Sequence, residues 1–424
     1  MLIQANIYEI KNPRQLAIAL EPESAALHVR SQRQEEYYKE KILNAKLYIV
    51  IDIGGGTIDI AVHKVHCHGD TGDEYIHEIK GCMGSDCGAT CIDRAFEDFL
   101  CSLNVDDYHN FFQEMKQDPK LWSQLMCKFE ASKTSFDGSR DMRIELPRRI
   151  FDSYKEKTSK DLASVLSKSA SSEVFITSTS DYLCVSKDIC RTWYRPTIDS
   201  VVEQVESLHK EYKVNALFVV GGFAECVILK EELKVKFPDL LHVIPPVPGL
   251  AVIKGAVRYG PHPKAIASRV SHATYGVSCS TAFIEGKHDP SKKFWSERYA
   301  EYHCGSIFST FVKIGDEVNP AKPYIESYYT VGPSQKTVTM DIYATDEKNP
   351  MYVTDPGCKR IGKMTIPVEP LPAGVEAKDD YRKVTVQMDF SGSEIFVSSV
   401  DDSGKHCEER TLDFLPVKEY SAAD

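Results

Sequence analysis

The run Tyr48-Ile49-Val50-Ile51-Asp52-Ile53-Gly54-Gly55-Gly56-Thr57-Ile58-Asp59-Ile60-Ala61-Val62 constrains the fold of this chain more than any other stretch. It reads as two β-strands joined by a triple-glycine turn. Glycine lets a backbone approach a bound group closely and turn several N–H donors toward it, which is how phosphate oxygens are cradled. Asp52, Thr57 and Asp59 flank the turn. A hydroxyl and two carboxylates beside such a cradle suit Mg²⁺, which keeps several waters and takes few protein oxygens. A plain glycine-rich hairpin would explain the same run, so the choice rests on the remainder of the chain.

A chain of 424 residues has room for two or three domains. Its 42% hydrophobic and 27% charged residues are those of an ordinary soluble globular protein. The net charge of −11 argues against a nucleic-acid partner, which needs a basic face. It does not exclude ATP, whose site uses local donors and Mg²⁺. The opening Met1-Leu2-Ile3-Gln4-Ala5-Asn6 meets Lys11 and Arg14 before any long apolar run. The expectation is no signal peptide, no membrane span or membrane partner, and a cytoplasmic location where the 13 cysteines are thiols. His63, His66, Cys67, His68, Cys82, Cys87 and Cys91 are all possible Zn²⁺ ligands. Their spacings fit no standard zinc module, and scattered histidines with buried thiols are the plainer reading.

Along the chain, Leu16–Leu20 reads as a short strand and Pro22 as a helix start, the helix continuing to Lys41. After the glycine turn come a strand near Tyr75–Ile79, a loop with Gly81, Gly84 and Gly88, and a helix over Cys91–Leu103. A helical region spans Tyr108–Thr134, with Phe111, Phe112, Met115, Leu121, Leu125 and Phe129 on its core face. Pro196–Tyr212 is a helix, and Ala216–Val220 is a buried strand feeding Gly221-Gly222 and a second helix. After Gly260 helical periodicity gives way to alternation, as in Thr337–Tyr343, Val384–Phe390 and Glu394–Val400, which indicates a β-sandwich.

Glu21-Pro22, the turn from Asp52 to Asp59, Val219-Val220-Gly221-Gly222 and Gly255-Ala256-Val257 occur here in one order. In these features residues 1 to 260 resemble the actin, sugar-kinase and seventy-kilodalton heat-shock ATPase superfamily. The trailing β-domain favours the heat-shock branch. The stretches Ile18–Ala25, Ala321-Lys322-Pro323, Thr354-Asp355-Pro356-Gly357 and Asp413-Phe414-Leu415 resemble the heat shock 70 kDa protein 12 subfamily from about residue 15 to 415.

The resemblance implies an α/β fold: a partial actin-like ATPase domain followed by an all-β sandwich without a helical lid. Residues 1–45 would be a remnant of the first ATPase lobe, 46–262 the second, nucleotide-binding lobe, and 263–424 the sandwich. It implies that Gly54, Gly55, Gly56 and Thr57 form a phosphate loop. Asp52 and Asp59 would hold hydrated Mg²⁺ and the attacking water, Glu21 would act at the lobe junction, and Gly88 would lie over the phosphates. Glu130 and Lys133 would contact the adenosine, though a solvated ion pair at i, i+3 explains them equally. Gly221 and Gly222 would turn beneath adenine and ribose, or simply join strand to helix.

The chain also departs from the family pattern. Residues 1–45 hold neither the first phosphate loop nor the catalytic lysine that members take from the first lobe. Thr134 and Asp137 replace expected Arg and Ser, Gly249 stands at an acidic position, and the acidic linker is not visible in Pro261–His272. One lost transition-state donor alone costs ~10²–10³ in rate. The expectation is therefore an ATP- or ADP-binding, chaperone-like stress-response protein with weak ATPase activity, its sandwich taking extended peptide or protein clients. The alternatives are a non-catalytic scaffold that keeps the lobe for packing, a small-molecule kinase of the same superfamily, and an incomplete gene product whose start lies upstream.

Overall fold

The computed structural model describes residues 18–67, 74–103, 111–169, 174–176, 181–319, 322–330, 335–368, 382–390, 394–401 and 406–413. In chain order it opens with α1 (Glu21–Ser31), α2 (Glu36–Asn44), β1 (Leu47–Ile53), β2 (Ile58–Cys67) and β3 (Glu74–Ser85). Then come α3 (Thr90–Ser102), α4 (Phe111–Met115), α5 (Pro119–Ser135), β4 (Met142–Glu145), α6 (Arg148–Thr158), α7 (Leu162–Ser169), β5 (Val174–Ile176) and β6 (Tyr182–Val185). The helical part ends with α8 (Lys187–Tyr212), β7 (Ala216–Val220), α9 (Val227–Lys236), β8 (Leu241–Val243) and α10 (Ala251–Tyr259). Strands follow: β9 (Ile266–Val270), β10 (Thr274–Ala282), β11 (Lys293–Ser296), β12 (Glu301–Val312), β13 (Glu317–Val318) and β14 (Tyr324–Tyr329). The last are β15 (Thr337–Thr345), β16 (Lys359–Pro367), β17 (Lys383–Asp389), β18 (Glu394–Asp401) and β19 (His406–Asp413). The architecture is a mixed α/β region followed by a β-rich one.

Two compact units divide the chain, and β2 and β3 each begin or end in both. One unit holds Ser24–Val62 and Cys82–Gly255. Its sheet runs β2-β1-β7-β8, and a small sheet runs β4-β6-β5. β1 pairs in parallel with β7, Tyr48 opposite Ala216 and Asp52 opposite Val220. Both strands are buried throughout but for Leu47, which is why they read as unbroken apolar runs. The Tyr48 and Phe218 rings stack across the pair at 4.1 Å. Phe96 of α3 stacks on Phe129 of α5 at 3.9 Å, and Trp193 of α8 closes on both edge-on.

The expected core face of Phe111, Phe112, Met115, Leu121, Leu125 and Phe129 is buried. The helix carrying it is not continuous. Asp118 turns extended and its carboxylate accepts from Lys120 and Leu121 N–H, so α5 starts afresh at Pro119. Similarly, Glu35 adopts extended backbone and splits the expected Glu21–Lys41 helix into α1 and α2. Helix α8 begins at Lys187, capped by Ser186, and carries Pro196 in its interior rather than at its start. Of the expected Leu16–Leu20 strand, residues 16 and 17 lie outside the described residues, and 18–20 form neither helix nor strand.

The second unit holds Met1–Glu23, His63–Gly81 and Ala256–Asp424. Within it one sheet runs β13-β9-β3-β2, a second β11-β12-β10-β15-β16 and a third β14-β17-β18-β19. The second and third close over one core. Tyr275, Val277, Met340, Ile342, Met364 and Ile366 come from one face, and Val384, Val386, Met388, Ile395 and Val397 from the other. The alternation in β15 and β17 produces those faces directly. The Ser391–Ser393 link between two expected strands lies outside the described residues, yet β17 and β18 pair antiparallel in one unbroken register.

A buried ionic cluster ties this unit together. Arg269 of β9 donates from Nε and Nη2 to the Glu23 carboxylate at 2.6 and 3.0 Å, to Tyr259 Oη at 3.2 Å and to the Phe390 carbonyl at 3.3 Å. Burial alone would lower the guanidinium pKa, but the Glu23 charge and the Glu23 and Tyr259 hydrogen bonds raise it. Breaking such a pair from one side typically costs about 3–5 kcal/mol. Glu78 of β3 adjoins it, accepting from Val270 N–H at 2.8 Å. Burial pushes its carboxyl up to about 7; the Val270 bond and Arg269 pull down, and Glu23 pushes up.

A carboxyl raised on folding contributes stability below its unfolded value, lost as pH rises through its folded value. Wild type should therefore lose up to roughly 3 kcal/mol, relative to Glu78→Gln, between about pH 4.5 and pH 7. Urea unfolding of both proteins at four pH values checks this. A difference that stays flat with pH would mean that Glu78 ionises normally.

Candidate functional site

The site forms where two parallel strands end side by side, the place at which α/β sheets hold ligands. β1 delivers Asp52 and the glycine turn, and β7 delivers Gly221 and Gly222. Gly221 has φ +88° and ψ 167°, a combination essentially reserved for glycine. A Cβ there would overlap Asp52 Oδ1 and the Ile53 carbonyl. Glycine at 221 is thus what lets the carboxylate of Asp52, a residue only 8% exposed, lie against the neighbouring turn.

The glycine turn is closed by Gly54 N–H donating to the Thr57 carbonyl at 2.9 Å. Open space faces Gly56, and the nearest atom to a Cβ on Gly55 would be Thr90 Cγ2 at 4.0 Å. The Thr57 hydroxyl donates to Asp59 Oδ2 at 2.9 Å, and the Cys82 thiol to Asp59 Oδ1 at 3.6 Å. The loop ahead of α3 straps the turn from outside. Gly88, Ala89 and Thr90 N–H donate to the Gly56, Gly54 and Gly55 carbonyls at 3.1, 3.2 and 2.8 Å. A Cβ on Gly88 would sit 2.7 and 2.8 Å from the carbonyl carbons of Gly56 and Gly55. Gly88 accepts in turn from the Thr197 hydroxyl of α8 at 3.2 Å.

Beside the turn is a cavity of about 420 Å³. Gly54 and Gly55 form one wall with Ala89 and Thr90; Gly222, Phe223, Glu225 and Cys226 form another. Asp93, Glu130, Lys133 and Thr134 complete it. Lys133 donates to Asp93 at 2.7 Å and pairs with Glu130 at 2.5 Å. Its side chain is 6% exposed while that of Glu130 is 54% exposed, so the Asp93 contact is the stronger of the two. The Tyr194 hydroxyl holds the Lys133 carbonyl at 2.8 Å, and its ring stacks on Phe223 at 6.3 Å. Burial pushes the Cys226 thiol up.

Of the residues proposed from sequence, Gly54, Gly55, Glu130, Lys133 and Gly222 line this cavity. Asp52, Gly56, Thr57, Asp59, Gly88 and Gly221 form the turn and the contacts bracing it. Glu21 is the first residue of α1, is counted in the second unit and does not line the cavity. Asp93 and Phe223 were missed. Asp93 sits one turn inside α3, whose Ile92, Phe96 and Leu100 stripe explained the helix without it. Among the described residues no three His, Cys, Asp or Glu side chains converge into a metal cage. Two carboxylates bracketing a glycine turn suit a cation held through its waters. His63 is fully buried, with its pKa lowered by burial to about 3. No helix among the described residues is long and apolar enough to cross a membrane.

A family model described as a domain of unknown function (DUF8340) matches residues 43–216. Heat shock 70 kDa protein 12A of Mus musculus is 28% identical over 464 aligned residues, covering 97% of this chain and 67% of that protein. The Homo sapiens protein of the same name is 27% identical over the same shares. Heat shock 70 kDa protein 12B of Homo sapiens is 30% identical over 378 residues, 87% of this chain and 54% of its own length.

Gly221 and Gly222 give a controlled comparison, because a Cβ on Gly222 meets nothing within 4 Å. Gly221→Ala should lower the unfolding free energy by about 3 kcal/mol and Gly222→Ala by well under about 1 kcal/mol. Denaturant titration of both variants measures this, and equal losses would contradict the packing described.

Proposed function

Because the chain is a relative of the heat shock 70 kDa protein 12 proteins, we propose that its glycine turn and the adjoining cavity bind ATP or ADP with hydrated Mg²⁺. The observation that carries this reading is convergence. Gly54, Glu130, Lys133 and Gly222, from distant parts of the sequence, line one cavity beside the turn. In this reading the phosphates lie over Gly55 and Gly56, where no side chain stands in the way. Asp52 and Asp59 hold the water shell of the cation, whose chemistry is to neutralise phosphate charge. The Thr57 hydroxyl and Asp59 carboxylate, already joined, orient a water molecule. Lys133 and Glu130 contact the nucleoside, with Phe223 as an apolar floor.

In this reading hydrolysis is slow, since the glycine turn clasps the phosphates from one side and each transition-state donor missing from the other costs ~10²–10³ in rate. A second reading, that the lobe is retained for packing alone, is favoured by one observation. Lys133, Asp93 and Glu130 already satisfy one another. Calorimetric titration of Mg²⁺-ATP and Mg²⁺-ADP decides between them. Nucleotide binding weakened at least about tenfold by Asp52→Ala is expected. No binding to a cooperatively melting protein would leave the packing reading.

The role we infer is that of a cytoplasmic, chaperone-like or stress-response protein whose β-rich unit takes extended peptide segments. Among the described residues β11 and β14 are each paired on one side only, and Trp295, Tyr302, Ile325 and Tyr329 are exposed on these strands or their neighbours. Such edges accept an added strand through main-chain hydrogen bonds. A peptide array probed with the whole chain should find extended apolar or aromatic segments, with signal reduced by Trp295→Ala. Uniform background across the array would remove this part of the proposal.

A further inference from the structure

The strap that holds the glycine turn begins and ends in cysteine. Cys87 immediately precedes Gly88, and Cys91 immediately follows Thr90, so the pair brackets the three residues whose N–H groups hold Gly54–Gly56. The strap is itself curled, since Cys91 N–H donates to the Gly88 carbonyl at 3.0 Å. That curl places Cys91 a single turn from Cys87, because its N–H reaches the carbonyl of the residue immediately after Cys87. Both are partly exposed and neither is in a disulfide.

We propose that Cys87 and Cys91 form an oxidative modification site, taking hydrogen peroxide as its substrate and closing to a disulfide that loosens the phosphate loop. This rests on the nucleotide-binding reading only for its consequence, not for its chemistry. The Cys87 thiolate attacks one peroxide oxygen; the O–O bond breaks, an S–O bond forms, and hydroxide leaves to take a proton. Sulfur is oxidised and peroxide reduced. Cys91 then gives up its proton and attacks the sulfenic sulfur; the S–S bond forms, the S–O bond breaks, and a second water leaves. Burial and the neighbouring Cys87 push the Cys91 pKa up, which keeps it a thiol while Cys87 meets peroxide and makes it the slower, second nucleophile; its hydrogen rests on the Asp86 carbonyl at 3.7 Å.

Geometry links the bond to the loop. Cys87 precedes α3 and Cys91 lies in its first turn, and a disulfide must draw their Cβ atoms to about 3.8 Å across the curl between them. Closing that gap pulls on Gly88, which lies so close to Gly55 and Gly56 that no methyl group would fit between them. The pull is therefore relieved at the three strap hydrogen bonds. Losing one or two of these, at about 1 kcal/mol each, corresponds to roughly a tenfold weaker nucleotide complex.

The test uses the full chain, reduced, then treated with a small excess of hydrogen peroxide and alkylated before digestion. Mass spectrometry under non-reducing conditions should find Cys87 joined to Cys91. Hydrogen exchange should quicken in the peptide carrying Gly54–Gly56, and the Mg²⁺-ADP dissociation constant should rise about tenfold, all reversed by dithiothreitol. Cys87→Ser and Cys91→Ser should each remove the response while leaving the reduced-state values in place. Both cysteines remaining alkylated after peroxide, or a disulfide that changes neither exchange nor affinity, overturns the proposal. If the disulfide quickens exchange but neither form binds nucleotide, the thiol site stands and the nucleotide reading falls.

Discussion

Everything at the candidate site depends on one close approach, that of the Asp52 carboxylate to the Gly221 backbone. Parallel pairing of β1 with β7 sets it, because Asp52 is opposite Val220 and the chain must turn immediately afterwards. A side chain at 221 would displace either the carboxylate or the Ile53 carbonyl, and with them the start of the glycine turn. The same device recurs at Gly88, where backbone lies on backbone. Two places where only glycine fits thus fix the turn from opposite sides, one through the sheet and one through the strap. The turn is open toward the cavity because it is crowded elsewhere.

The two units manage buried charge differently. In the second, Arg269 is fully buried and every part of its guanidinium has an oxygen partner, so the cost of desolvation is met by a bidentate carboxylate, a hydroxyl and a carbonyl. That closure suits a structural role. In the first unit, Lys133 is nearly as buried, yet its partners Asp93 and Glu130 are in part exposed and both line the cavity. A cation held by movable carboxylates at a cavity wall can exchange partners with an entering ligand. Arg269 cannot.

How much was legible in the sequence follows from how local each signal was. The glycine turn, the apolar run before Gly221-Gly222 and the alternating strands are decided within a few residues, and they stand where expected. Helix boundaries were less well read. Asp118-Pro119 is a capping signal that the apolar stripe on either side concealed. Pro196 by itself reads as a helix start, whereas Ser186, ten residues earlier, caps the helix. Asp93 could not be found from spacing, because it meets Lys133 only after α3 and α5 pack through Phe96 and Phe129. The Glu23–Arg269 pair, 246 residues apart, is of the same kind. Such contacts are products of the tertiary fold and leave no periodic trace.

The charge around the cavity narrows what could bind there. Asp93, Glu130 and Glu225 line it against the one amine of Lys133, and Asp52 and Asp59 flank the adjoining turn. A polyphosphate entering alone would meet this excess of carboxylate at short range, where an effective dielectric well below that of water makes each like-charge pair cost several kcal/mol. The backbone N–H groups of a glycine turn offset part of that cost, and Lys133 is already engaged by two acids. A divalent cation accompanying the phosphates reverses the sign of the problem, because the same carboxylates then attract the complex. Under the proposed nucleotide reading, this charge pattern would favour a metal–nucleotide complex over either component alone, with affinity depending more on the Asp52 and Asp59 pair than on the buried lysine.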